Sequence, residues 1–234
     1  MADNKGILYE QTLNRNLKKY KLQTSSFQPA GPDPNAPDAE LLYKGVKYKV
    51  EVKLDTKVDF GQGSLDYDVS KKKWLLGGAS TESAEQMRQF LTAIGAVDIV
   101  NKRWGPKGAP RKYTIPSSKF KQEDVDFDYK RFTDEFIDIP GNAVANYYAS
   151  KKTYYIQIGS GYGLYYMKND PARLGIPAFN LQLRLRIRIK RGGSFPIYNY
   201  RFTTAIQAKQ GSLARSNSDL DDIDYLNALQ GRSS

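Results

Sequence analysis

Asp38, Glu51 and Lys53 are the residues whose types and spacing could act together on a phosphate group. They fall in a stretch that reads as a β-hairpin: Pro37 to Tyr43, a Lys44-Gly45 turn, then Val46 to Leu54. Gly45 supplies the positive φ that a two-residue turn needs. In that register Tyr43 faces Val46, Leu41 faces Tyr48 and Ala39 faces Val50, which makes one face apolar. The other face sets Asp38 across from Glu51, with Lys53 two residues further on. Directly opposed side chains stand ~4.5–5.5 Å apart at Cβ, and two carboxylates at that spacing repel each other. A divalent cation between them would turn the repulsion into a site for metal-assisted hydrolysis.

The alternation from Val46 to Leu54 is also what any half-exposed strand shows, with its charges as a solvated face. Acid-x-Lys triplets recur at Asp55-Thr56-Lys57 and Asp128-Tyr129-Lys130, so Glu51-Val52-Lys53 does not decide the matter by itself. A third acid lies upstream. Lys5 to Leu22 carries Ile7, Leu8, Leu13, Leu17 and Tyr20 with Glu10 among them, and reads as an amphipathic helix. A Pro- and Gly-rich loop, Gln28 to Pro34, separates it from the hairpin.

The order Lys5-Gly6-x-x-x-Glu10, then Pro37-Asp38, then Glu51-Val52-Lys53 resembles the PD-(D/E)XK nuclease superfamily. Within it the chain is similar to archaeal Holliday-junction resolvases and phage-type endonucleases, over about the first seventy residues. The resemblance implies a helix followed by a mixed sheet with helices packed on it. It also implies that Asp38 and Glu51 bind Mg²⁺ or Mn²⁺, joined by the Val52 carbonyl, with Glu10 supporting the shell directly or through water. Lys53 would orient the nucleophilic water or stabilise charge developing on phosphate. Many members, exonucleases especially, carry Gln-x-x-x-Tyr on the next helix. Here that helix reads Gln86-Met87-Arg88-Gln89-Phe90, without the Tyr, which counts against that subtype.

Composition agrees with a nucleic-acid enzyme. The chain has 234 residues and a net charge of +11, with a pI of about 9.5, a balance that favours a polyanionic partner. It contains neither Cys nor His. Disulfides, thiolate or histidine metal sites, and Ser-His or Cys-His nucleophile pairs are therefore excluded. The N-terminus lacks a signal peptide's apolar core, and no run approaches the ~18 apolar residues of a membrane span. A cytoplasmic protein, of a bacterium or a phage-infected cell, is expected.

Two basic regions are candidates for DNA contact. The first, Asn101 to Lys112, holds Lys102, Arg103, Trp104, Lys107, Arg111 and Lys112 among Gly and Pro. It reads as a mobile loop able to enter a groove or stack on a base, or as an ordinary exposed connection. The second is a strand, Leu181 to Lys190. Its Leu183, Leu185, Ile187 and Ile189 face one way, and its Arg184, Arg186, Arg188 and Lys190 the other. Such a row repels itself unless a DNA backbone or acids on neighbouring strands compensate it. Tyr198, Tyr200 and Arg201 are expected to extend that surface.

Elsewhere the sequence predicts helices over Thr81–Ile94, Asp126–Phe136 and Asn142–Ser150. It predicts strands within Thr56–Val69, at Ala96–Val100, and as a hairpin of Tyr154–Ile158 with Leu164–Met167 around Gly159–Gly163. From Gly211 the chain is polar and expected to be loosely held, with a short acidic amphipathic helix around Asp219 to Leu229. The expected fold class is α/β (α+β), a restriction-endonuclease-like core with a mixed central sheet flanked by helices, plus a β-rich C-terminal part. The divisions are 1–125 for the nuclease core, 126–210 for the β-rich DNA-binding continuation and 211–234 for the tail. The expected activity is metal-dependent DNA endonucleolysis. Cleavage of branched DNA as a resolvase and nucleic-acid binding without catalysis are the alternatives. DNA is the expected partner, no membrane is expected, and a homodimer is left open.

Overall fold

The structure is a computed structural model that describes residues 5–29, 36–191, 200–209 and 213–233. Most of the Gln28–Pro34 loop, and Tyr198, lie outside the described residues. In chain order the elements are α1 (Lys5–Lys19), β1 (Ala39–Tyr43), β2 (Val46–Lys53), β3 (Gly61–Asp68), β4 (Lys73–Gly77), α2 (Glu82–Ala93) and α3 (Ala96–Trp104). Then follow α4 (Arg111–Thr114), α5 (Gln122–Arg131), β5 (Glu135–Asp138), α6 (Ala143–Ser150), β6 (Thr153–Ile158), β7 (Gly163–Tyr166), β8 (Leu183–Arg191), β9 (Tyr200–Ala208) and α7 (Ile223–Ser233).

The chain forms two compact units that interleave in sequence. One comprises residues 1–58, 144–182 and 208–234; the other comprises 59–143 and 183–207. These units do not follow the boundaries at 125/126 and 210/211. The reason is strand pairing: β2 takes β6 as its parallel neighbour, so residues far apart in sequence share the first unit's sheet.

In the first unit the sheet order is β1-β2-β6-β7. The β1–β2 and β6–β7 pairs are antiparallel, while β2–β6 is parallel, giving the expected mixed sheet. The hairpin register is as expected, with Ala39, Leu41 and Tyr43 opposite Val50, Tyr48 and Val46. Both turn residues have positive φ, 50° at Lys44 and 75° at Gly45. That conformation matches the right-handed strand twist and here places a lysine in the left-handed region.

Helix α1 packs Leu13 and Leu17 into a core with Leu41, Val50, Val52 and Tyr155. Its Ile7 and Leu8 are exposed, while Tyr9 packs against the core. The helix ends before Leu22. Lys21 takes φ 56°, the Leu22 amide bonds the Leu17 carbonyl at 2.8 Å, and the Lys21 amide bonds that of Lys18 at 3.0 Å. This is a Schellman cap with lysine where glycine is usual, sealed by buried Leu17 and Leu22. The described C-terminal residues, 213–233, are not loosely held. Leu220, Leu226 and Leu229 are fully buried in the same core, and Leu164 and Ser216 amides bond the carbonyls of Ser218 and Tyr162 across the strand edge.

In the second unit the sheet order is β4-β3-β9-β8-β5. The stretch expected as a strand at Ala96–Val100 is helix α3 instead. Ala96, Val100 and Trp104 are buried at a spacing of four, which is one helical stripe. Asn101 secures it to β4, accepting from the Trp74 amide at 2.8 Å and donating to its carbonyl at 3.0 Å. The helix expected at Asp126–Phe136 begins earlier and stops at Arg131, and Glu135–Asp138 becomes edge strand β5. Among the described residues no helix is long and apolar enough to cross a membrane.

Candidate active site

The first unit gathers Glu10, Asp38, Glu51 and Lys53. Strand alternation puts Val50 and Val52 into the α1-side core, so Glu51 and Lys53 face the other way. That face is covered rather than a solvent edge: the Glu51 and Lys53 side chains are only 12% and 16% exposed. Lys53 Nζ lies 2.7 Å from Glu51 Oε1. Two further groups reach the same carboxylate from α6 and its end. The Tyr148 hydroxyl donates to Oε1 at 3.4 Å, and Lys151 Nζ stands 3.8 Å from Oε2.

Asp38 immediately precedes β1 and accepts the Val52 amide N–H on its Oδ2 at 2.9 Å. The Gly159 amide bonds the Lys53 carbonyl at 2.8 Å, so Lys53 presents its backbone oxygen to the β6 edge. Successive residues of a strand present their polar groups to opposite edges. The Val52 carbonyl therefore points to the Asp38 edge, past the start of β1. Asp38 is held in turn by buried Asn14 of α1. The Asn14 side-chain amide donates to the Asp38 carbonyl and the Glu10 carbonyl, each at 2.8 Å. Its oxygen accepts from Gln23 at 2.6 Å, and Gln23 also donates to the Glu40 carbonyl at 3.1 Å.

Electrostatics divide the carboxylates. Burial raises Asp38, Glu51 raises it further, and Lys53 and the Val52 amide only partly oppose this, leaving it at about 7. Burial also raises Glu51, but Lys53, Lys151 and Tyr148 outweigh that and hold it below its ordinary value. Glu10 is raised by burial and by Glu51, against Lys53. Lys53 loses some basicity to burial, yet Glu51, Asp38 and Glu10 raise it overall, so it stays charged. Tyr148 is pushed well above its usual range, first by burial and then by Glu51, so its hydroxyl remains a donor. Two carboxylates thus sit side by side with one well compensated and the other not. Among the described residues, no three carboxylates converge into a ready-made cation cage.

The basic residues of the second unit are placed differently from expectation. Residues 101–112 are not a mobile loop: Lys102 and Arg103 occupy the last turn of α3, and Arg111 and Lys112 open α4. Trp104 is fully buried, with ring centroids 5.1–5.9 Å from Trp74, Phe132 and Phe202. It cannot stack on a base without unfolding that core. Arg103 and Lys107 meet Glu135 at 3.3 and 3.6 Å. Arg111 meets Asp124 at 2.9 Å, and Lys112 donates to the Tyr200 carbonyl.

The β8 row alternates as expected, with Leu183, Leu185, Ile187 and Ile189 buried. Two of its four cations meet carboxylates, and the other two meet a neutral amide and a ring. Arg186 Nε donates to Asp134 at 2.7 Å, Arg188 pairs with Asp59 at 2.8 Å, and Lys190 donates to Gln62 at 2.8 Å. Arg184 lies 4.0 Å over the Phe136 ring. Acids on neighbouring segments, the alternative to a DNA backbone, thus relieve the row's self-repulsion at Arg186 and Arg188.

Tyr148, Lys151, Asn14 and Gln23 escaped the sequence reading. Tyr148 and Lys151 lie about a hundred residues beyond Glu51 and reach it only through the β2–β6 pairing. Asn14 did carry a signal, since it shares the spacing of Glu10, Leu13 and Leu17 on a helix face where a polar residue must find partners.

No protein-family model and no curated protein matches the sequence. Among solved structures, the chain is similar to HhaI endonuclease in complex with DNA, at 11% identity, covering 96% of this chain and 98% of that one, with a TM-score of 0.44. Neither the identity nor the superposition is high enough to carry a residue from one chain to the other.

Proposed function

We propose that this chain is a metal-dependent deoxyribonuclease that hydrolyses DNA phosphodiester bonds endonucleolytically. The observation that carries the reading is the joint placement of Asp38, Glu51 and Lys53, with the two carboxylates unequally compensated and the Val52 carbonyl on the same edge. This donor set fits a hard divalent cation: it is all oxygen, and Asp38 accepts the Val52 N–H but, among the described residues, pairs with no lysine or arginine. Asp38, Glu51 and the Val52 carbonyl would hold Mg²⁺ or Mn²⁺, with Glu10 supporting them. Such an ion, when bound, supplies a more acidic water and neutralises phosphate charge. Lys53, fixed by Glu51, presents a charged ammonium to the phosphate or the attacking water. Tyr148 bonds the Glu51 carboxylate, and Asn14 fixes the backbone of Asp38. The basic balance of the chain favours DNA as the polyanion.

The test is cleavage of plasmid, linear and branched DNA in Mg²⁺, with EDTA as control. Asp38→Asn, Glu51→Gln and Lys53→Ala should each abolish cleavage while circular dichroism still reports a folded chain. Glu10→Gln should lower activity less. Full cleavage by Asp38→Asn or Glu51→Gln would remove the assignment.

A further inference from the structure

The site contains a second lysine, Lys151, to which the nuclease reading gives no contact with substrate. Lys151 follows α6, and its amide bonds the Tyr148 carbonyl at 3.1 Å, so its backbone is fixed by the helix end. Its Nζ stands over two aromatic faces, 5.6 Å from the Tyr147 centroid and 5.5 Å from that of Tyr148. This confines a long side chain that would otherwise sweep a wide volume.

Glu51 engages Lys151 by charge alone, without a hydrogen bond. Its Oε1 already takes Lys53 at 2.7 Å, whereas Lys151 approaches Oε2 only to 3.8 Å, beyond hydrogen-bond reach. An ammonium has three donors to satisfy. At 22% exposure Lys151 is more open than Lys53 or Glu51, at 16% and 12%, so it is the one of the three best placed to meet an incoming group. The two lysines sit against different oxygens of one carboxylate and so present two cations beside the Asp38–Glu51 pair.

We infer that Lys151 is a substrate-binding residue, a second ammonium that contacts a DNA phosphate beside the one Lys53 attends. The inference rests on the nuclease reading for the substrate's identity. A group that binds phosphate equally before and during reaction lowers KM without raising kcat. A group that merely holds Glu51 would act on kcat instead.

The test compares wild-type protein with Lys151→Gln and Lys151→Arg. Duplex DNA binding is followed by fluorescence anisotropy in EDTA at several salt concentrations, and steady-state cleavage is followed in Mg²⁺. Lys151→Gln should flatten the slope of log K against log salt by about one unit and raise KM by about tenfold, a larger change than any in kcat. Lys151→Arg keeps the charge and should restore both. An unchanged slope and KM in Lys151→Gln overturns the inference, as does a fall in kcat at constant KM, which would make Lys151 a support for Glu51. A wild-type protein that binds DNA but cleaves none defeats the nuclease reading, and the slope still decides Lys151. A wild type that neither binds nor cleaves defeats both.

Discussion

The side-chain amide of Asn14 bonds the backbone carbonyl of Asp38 at 2.8 Å, tying the first helix to the residue that opens the hairpin. The same amide bonds the Glu10 carbonyl, and its oxygen is taken by Gln23. One buried side chain thus sets the relative position of two of the three acids.

Asn14→Asp keeps the shape but sets a carboxylate against two carbonyl oxygens. It should be more destabilising than Asn14→Ala, which leaves buried partners unsatisfied at about 1–3 kcal/mol. Both should lower cleavage by about tenfold or more, because small displacements of a reacting group are costly. Urea denaturation and cleavage assays check the two parts separately. Equal stability of the Asp and Ala variants would contradict the bonding pattern.

The pH dependence of metal-free stability follows from Asp38. Its folded-state value, about 7, lies above the ordinary 3.8. A raised acid contributes stability that is fully present below its unfolded value and lost as pH rises through the folded one. Stability in EDTA should therefore fall between about pH 4 and pH 7, with Glu10 adding the same sign. Glu51 is lowered and acts oppositely, its contribution being lost only on acidification. Asp38→Asn should flatten the decline in thermal melts across that window. A variant with the same slope as wild type would show that Asp38 is not the group titrating.

The hairpin was legible because its information is local: a two-residue turn and a period of two fix which residues face each other, and the register is as expected. The lower boundary of α1 was not, because its cap uses Lys21 where the usual glycine signal is missing. Ala96–Val100 misread as a strand because five apolar-rich residues fit either period, and only Trp104 extends the helical stripe. The partners of Glu51 from α6 were beyond reach, since a parallel pairing across residues 54–152 leaves no trace in local spacing. The β8 row was legible for face but not for its partners, because Asp59, Gln62 and Asp134 come from segments that local spacing does not link to it.

Metal binding should report the incomplete donor set. Oxygen ligands alone favour Mg²⁺ or Mn²⁺, and two or three carboxylates leave room for waters and a phosphate. Calorimetry on the DNA-free protein should show weak Mg²⁺ binding that strengthens as pH rises through 7, when Asp38 gives up its proton. Tight zinc binding in the same experiment would contradict the site.

Arg188 should matter more to folding than to DNA. It and Asp59 are 15% and 17% exposed, and Asp59 also receives Gln62 and Gln207 at 2.7 Å each. Removing one partner of a largely buried pair costs about 3 kcal/mol, mostly by stranding the other charge. Arg188→Ala should therefore lower the urea midpoint clearly. Its DNA-binding salt slope should change by less than the unit expected for a lost phosphate contact. A full unit of change with no loss of stability would return Arg188 to the DNA surface.

Trp104 separates a structural aromatic from a base-stacking one. It is fully buried, stacked edge-on against Trp74 and Phe132, with the Lys107 ammonium 5.9 Å from its ring. A stacking platform for nucleic acid must present a face to solvent, and its loss costs binding rather than folding. For a core residue the order reverses. Trp104→Ala should cost about 3–5 kcal/mol through the cavity it opens. Trp104→Phe retains much of the packing and should cost less, and at temperatures where it is folded it should bind DNA as wild type does. Both are read from thermal melts followed by anisotropy on the folded protein. A Trp104→Phe variant that melts as wild type but binds DNA several-fold more weakly would mean that the indole reaches the ligand, and that the aromatic cluster opens when DNA binds.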